Sequence, residues 1–266
     1  DDNASGTCGN LLTARKLAEA YAALPPETPR RSVLFLWFSA EESGLVGSRH
    51  YVNDPIEPLD THAPMLNPDW VGRLRGGKLE VGGVGTSPGL SEWLEPYFAT
   101  SGMVIKPTRI GAPNSDHYSF HLKGVPNLFF FTGLHDEYHT VKDLVPTINV
   151  DGAAQVADMV YRIALDAATR TEPFKHSAAK EEDDDKPSQG PLGGITVRFG
   201  IMPGNYSDDK PGVLIEGLSG TDLPAAKAGL QAGDRLMKWN GQEIESVEGW
   251  MKYLAQAKPG DVVKVT

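Results

Sequence analysis

Apolar residues recur at helical spacing in the stretch 10–24, NLLTARKLAEAYAAL, where Leu11, Ala14, Leu17, Ala18 and Tyr21 share one face until Pro25 and Pro26 end the pattern. That spacing predicts an amphipathic helix. At 33–40 the pattern becomes a continuous apolar run, VLFLWFSA, as expected of a strand covered on both faces by helices. Helix-like and strand-like segments then alternate through LVGSRHYV, MLNPDWVG, KLEVGGVG, a helix around SEWLEPYFAT, PNLFFFTG, and GAAQVADMVYRIALDAA at 152–168. Such alternation predicts an α/β fold with a mixed central β-sheet sandwiched by helices.

The alternation lapses after about residue 172. FKHSAAKEEDDDKPSQGPLGG has few apolar residues, an acidic run from Glu181 to Asp185, and Pro and Gly at its end, so 173–191 reads as a solvated linker. The acidic run lacks the spaced ligands and turn glycine of a calcium loop, which favours a spacer. Beyond it, ITVRFGIMP, GVLIEGL, AAKAGLQAGDRLMKWNG and VVKVT are strand-like runs punctuated by Gly and Asp turns. They predict a small, mostly β module over 192–266 with one or two short helices, following a larger domain over 1–172.

The chain of 266 residues is long enough for both, and 40% hydrophobic with 23% charged residues is ordinary for a globular chain with a buried core. No apolar stretch approaches the roughly 20 residues that cross a bilayer, so no membrane span is expected. A net charge of -10 argues against nucleic acid as a partner, since phosphate binding needs clustered Lys and Arg. The single cysteine, Cys8, excludes a disulfide framework and a multi-cysteine zinc site. Any metal must be held by His, Asp and Glu.

Two adjacent carboxylates, Glu41 and Glu42, follow the apolar run directly. The expected strand would deliver them to its carboxyl end, where α/β sheets form ligand crevices. Neighbours on an extended segment point different ways, so one could bind a metal while the other faces substrate. Further ligands stand beside other element ends: Asp1 and Asp2 before the first helix, Asp69 in LNPDWVGRL and His139 in LHDEYHTVKD. Singly, Asp2 or Asn3 reads as a helix cap, Asp69 as a turn residue and His139 as a surface histidine. Phe129, Phe130 and Phe131 read as core strand residues.

In order, the motifs DDNASG, FSAEESGLVGS, LNPDWVG, SDHYSF and FFFTGLHDEYHTVKD, spanning about 1–168, resemble the two-zinc exopeptidases of the bacterial leucyl aminopeptidase and aminopeptidase Y type. The resemblance implies that Asp2 bridges two zinc ions, that Glu42 and His139 ligate one and Asp69 the other, and that Glu41 is the general base. It also implies that Tyr138 donates to the oxyanion of the tetrahedral intermediate. The chemistry is coherent: two zinc ions about 3.5–4 Å apart lower the pKa of a shared water and polarise the scissile carbonyl, and a free base takes the proton. Asp116 or Asp143 is expected to orient the imidazole of His139. For His117, His121 and His135 near the site, and His50, His62 and His176 elsewhere, a structural or surface role outweighs ligation, although His135 could line the cleft. The family pattern places another histidine ligand upstream of the DD pair, so one zinc lacks a ligand in this chain, and a weak or inactive fragment of a longer protein is expected. Family members often carry a cis peptide after the bridging aspartate, which predicts Asp2–Asn3 cis.

The stretch from GVLIEGL through the helix expected near Ser246 resembles a PDZ domain of the type attached to bacterial proteases, over about 192–266. The resemblance implies capture of an extended peptide or a protein C-terminus at a sheet edge, with Phe199, Gly200 and Ile201 at the carboxylate loop and first binding strand. A spacer role is the competing reading of this module. VVKVT stops before the closing strand usually present, so the module is expected to lack its last strand.

Together these readings give a zinc-dependent aminopeptidase acting on peptides with a free N-terminus and an apolar first residue. The alternatives are a glutaminyl cyclase-like single-zinc acyltransferase, or an inactive fragment serving as a peptide-binding module. By the resemblance, the protein is secreted or periplasmic.

Overall fold

The computed structural model describes residues 1–42, 44–62, 64–111, 114–135, 137–177, 197–203, 210–218, 220–245 and 247–266. Most of the expected linker, from 178 to 191, lies outside them, as does Ser246. The chain divides into two compact units, Asp1–Trp37 with Tyr51–Glu181 and Phe38–His50 with Glu182–Thr266, each described in turn.

The first unit opens with α1 (Ala4–Ala23), six residues ahead of the helical pattern at 10–24. Asn3 explains the earlier start: its side-chain oxygen accepts the Gly6 N–H at 3.0 Å and caps the helix. After α2 (Val46–Asn53), of which Tyr51 to Asn53 belong to this unit, come β1 (Met65–Pro68), β2 (Lys78–Gly82), α3 (Leu90–Thr100), β3 (Val104–Thr108), α4 (His117–Leu122), β4 (Asn127–Phe131) and α5 (Val150–Thr169). The strands form one mixed sheet in the order β1-β4-β2-β3. β1 runs parallel to β4, β2 parallel to β3, and β2 antiparallel to β4.

Strand β4 is buried at all five positions, and its alternation divides the core. Leu128 and Phe130 join Leu79 and Val81 of β2, Leu90 and Leu94 of α3, and Val156, Met159, Val160 and Ile163 of α5. Phe129 and Phe131 face the other way, against Trp70. His117 of α4 stacks on Phe129 at 4.3 Å between ring centroids, so α4 covers this second face. A helix-covered mixed sheet is therefore present as expected, with LNP, KLEVG and NLFFF as strands.

The apolar run 33–40 is a correction. Among the described residues it joins no sheet, and Leu34 and Trp37 are 40% and 48% exposed. An apolar run reports affinity for a covered surface. A ladder also needs a hydrogen-bonding neighbour, which a local pattern does not reveal. Glu41 and Glu42 accordingly lie in a turn, where the Glu41 carbonyl accepts from Gly44 N at 3.0 Å and Leu45 N at 2.8 Å. Packing also runs past residue 172: Phe174 is buried in the main core, and Ser177 N donates to Thr86 O at 3.0 Å.

The second unit contains β5 (Ile201–Pro203), β6 (Val213–Leu218), α6 (Pro224–Lys227), β7 (Arg235–Leu236), β8 (Lys238–Trp239), β9 (Gln242–Glu243) and α7 (Val247–Gln256). β5, β6 and β7 form an antiparallel sheet, and β8 pairs with β9. Its core gathers Val213, Ile215, Leu236, Trp239, Ile244, Trp250 and Leu254, and Trp239 bridges to Val265.

Candidate metal centre

Strands β1 and β4 are parallel, so their carboxyl ends open at the same edge of the sheet. Asp69 N donates to Phe130 O at 3.0 Å and Thr132 N to Trp70 O at 3.1 Å, carrying the pairing one step beyond the strands. The start of α1 is fastened to this edge by Asn3. Its Oδ1 accepts Trp70 N at 3.3 Å and its Nδ2 donates to Pro68 O at 3.4 Å. The Asp2–Asn3 peptide is cis, as the resemblance predicts.

These contacts bring Asp2 to the loop after β4. His139 Nε2 stands 3.2 Å from Asp2 Oδ2. Asp2 and His139 thus bring a carboxylate and an imidazole together within the first unit, while Glu42, expected as a third ligand, lies in Phe38–His50 of the second. A carboxylate beside an imidazole offers the oxygen and nitrogen donors that suit zinc. The backbone is left-handed at Trp70 (φ 52) and His139 (φ 54), a conformation that non-glycine residues adopt where surroundings impose it.

The other expected residues have their own settings. Asp69 is buried and accepts the Ser115 hydroxyl at 2.6 Å through Oδ2. Tyr138 lies between aromatic neighbours, 4.0 Å from the Trp70 ring and 3.6 Å from the His139 ring. Asp116 precedes α4. His117 is buried, with Nδ1 3.3 Å from Asn67 Nδ2.

Asp143, expected at the His139 imidazole, instead grips the start of the chain. Its Oδ2 accepts Asp2 N at 3.1 Å and Asp1 N at 2.6 Å, and its Oδ1 accepts Arg73 Nη2 at 3.3 Å. Around it runs a network of residues that sequence reasoning largely passed over. Arg73 reaches Glu137 at 3.0 Å and His135 Nδ1 at 3.3 Å, and His135 Nε2 is 3.3 Å from Asp1 Oδ2. Asp1 Oδ1 accepts Gly72 N at 2.9 Å and Ser5 Oγ at 2.6 Å. Burial, then the Arg73 guanidinium, push His135 down, so the imidazole favours its neutral form. The only sequence signal for this network was the density of charged residues in HDEYHTVKD.

In the second unit, the Phe199 ring packs edge-on against Trp239 at 5.3 Å and Trp250 at 6.0 Å, and its carbonyl accepts Ala225 N at 2.8 Å. Gly200 is left-handed (φ 98), and Ile201 opens β5 against Leu218.

Two family profiles match the chain. The profile of Peptidase family M28 matches residues 1–164, and that of the PDZ domain matches residues 207–266, beginning after Phe199, Gly200 and Ile201. Leucine aminopeptidase 1 of Coccidioides posadasii is 31% identical over 182 residues, an alignment covering 63% of this chain and 46% of that protein. The structure of a zinc aminopeptidase from Bacillus subtilis superposes with a TM-score of 0.54 at 27% identity, covering 68% of this chain and 45% of that one. The LapA aminopeptidase of Legionella pneumophila, at 22% identity and a TM-score of 0.53, shares the fold over 64% of this chain and 47% of its own. The chain thus spans under half the length of the curated relative it matches.

Proposed function

Since the chain belongs to Peptidase family M28 and carries a PDZ domain, we propose that the protein is a zinc-dependent aminopeptidase that removes the N-terminal residue of peptides. The observation that carries this reading is the approach of His139 to within 3.2 Å of Asp2, across most of the first unit's sequence. Asp2, Glu42 and His139 would hold one zinc ion, with Asp2 shared and Asp69 serving a second. Bound zinc supplies Lewis-acid polarisation of the scissile carbonyl and acidifies water.

This chain's residues do the rest. Glu41 takes the proton of the attacking water and returns it to the leaving amine, which balances the hydrolysis. The Tyr138 phenol, held between Trp70 and His139, donates to the carbonyl oxygen as its charge grows. The catalytic domain extends over 1–172 in this reading and is followed by the linker at 173–191. The PDZ-like module, 192–266, takes an extended peptide or a protein C-terminus along β5, with the Gly200 backbone near its carboxylate. We keep export from the cytoplasm, secreted or periplasmic, as part of the reading, on the resemblance alone. No helix among the described residues is long and apolar enough to cross a membrane.

The test is zinc content and turnover of aminoacyl anilides in a chain extended to the length of its relatives. Glu41→Gln should lower the rate about 10²–10⁴-fold while zinc is retained. A Glu41→Gln protein with its full rate sinks the assignment of the base.

A further inference from the structure

We propose that Asp143 is a positioning residue for zinc, acting on the ligand Asp2 at the far end of the chain; this rests on the reading of Asp2 and His139 as ligands. Asp2 and His139 are 137 positions apart, and a pair of ligands is useful only if their spacing is fixed before the ion arrives. The distance between them is set by what joins the first turn of α1 to the loop after β4. Asn3 and the His135–Asp1 pair fasten the neighbouring residues, and Asp143 is the joint made to Asp2 itself. It lies four residues after His139, and the loop between is wound into successive turns: Tyr138 N donates to His135 O, Thr140 N to Glu137 O, and Asp143 N to Thr140 O, at 3.1, 3.0 and 3.1 Å.

From that loop, one carboxylate oxygen takes the Asp2 amide at 3.1 Å and the other takes Arg73 at 3.3 Å. The side chains of Asp143 and Arg73 are only 10% and 11% exposed, so water competes weakly for these bonds. Arg73 is anchored in turn by Glu137 at 3.0 Å, within the same loop. Only an acceptor with two equivalent oxygens satisfies donors on both sides. An amide at this position would turn an NH2 toward either the Asp2 N–H or the Arg73 guanidinium. Asp143 therefore fixes where the Asp2 carboxylate stands relative to His139 without touching the ion.

The experiment measures zinc affinity by chelator competition in the full 266-residue chain, with circular dichroism confirming that each metal-free variant is folded. His139→Ala first identifies the site. Asp143→Asn removes one of the two acceptors. Asp143→Glu keeps the charge and both oxygens but lengthens the reach by one methylene. Both Asp143 variants should bind zinc about 10–100-fold more weakly than the parent, the range for losing a residue that orients a ligand. Should Asp143→Asn not fold, Asp143→Glu decides by itself. Parental affinity in Asp143→Asn overturns the proposal. So does parental affinity in Asp143→Glu, which would make the effect one of charge and not of placement. If the parent holds no zinc that His139→Ala removes, the ligand reading fails and the inference falls with it.

Discussion

Gly6 sits where the first turn of α1 presses on the end of β1. A Cβ there would run into the Pro68 carbonyl oxygen and the Asn3 side chain. Backbone oxygen cannot swing aside as a flexible side chain can, so Gly6→Ala should cost about 1–3 kcal/mol or more and lower the melting temperature of the first unit. Because Asn3 and Pro68 flank Asp2 and Asp69, zinc affinity should fall with it, and an unchanged melting temperature would show that the turn yields easily. At this scale Asp2, Glu42 and His139, proposed above as ligands, stood out in the sequence because short motifs carry them. The braces were not. His135 meets Asp1 and Arg73 meets Asp143 over 134 and 70 positions, and nothing near either residue in the chain announces its partner. The same distance hid the partner of Asp143, which was expected, as an alternative to Asp116, at His139 and which the fold gives to the Asp2 backbone.

Among elements, α4 and β3 escaped the sequence pattern. α4 has six residues, too few for helical periodicity to register, and β3 is VIKPT, with a proline and mostly exposed positions on a sheet edge. β4, apolar throughout, was plain. α4 also brings a titratable pair into contact: His121, in its last turn, meets His176 beyond α5 with ring centroids 5.5 Å apart. Burial lowers the pKa of both, and for His121 the neighbouring His176 adds to the effect. Each therefore binds its proton less readily folded than unfolded. Between the depressed folded value and the ordinary value near ~6.5, the unfolded chain holds more protons. The first unit should thus keep its full stability above about pH 6.5 and lose it progressively as pH falls through that window. Thermal melts from neutral to mildly acidic pH check this, and His121→Gln should flatten the dependence; an equal slope in that variant would exonerate the pair.

For the whole molecule, the two family resemblances, matched over 1–164 and 207–266, were legible because the composition changes sharply between those stretches. Where the first unit's packing ends was not, since Phe174 joins the core from a stretch that reads as polar. Binding that favours a folded state stabilises it by mass action, so zinc at about 100 times its dissociation constant should stabilise the first unit by about 2.7 kcal/mol. Calorimetry with and without chelator should show a shift in one transition, absent in His139→Ala. A zinc-dependent shift that persists in His139→Ala would place the ion elsewhere.

The exposed run before the glutamates has an optical consequence. Of the five tryptophans, Trp70, Trp239 and Trp250 are buried, and Trp93 is partly covered with its indole N–H on Asp166, whereas Trp37 is 48% exposed. An aqueous quencher therefore reaches Trp37 first. The fluorescence it removes comes from the segment leading into Glu41 and Glu42, so the molecule carries its own lamp beside the turn that holds them.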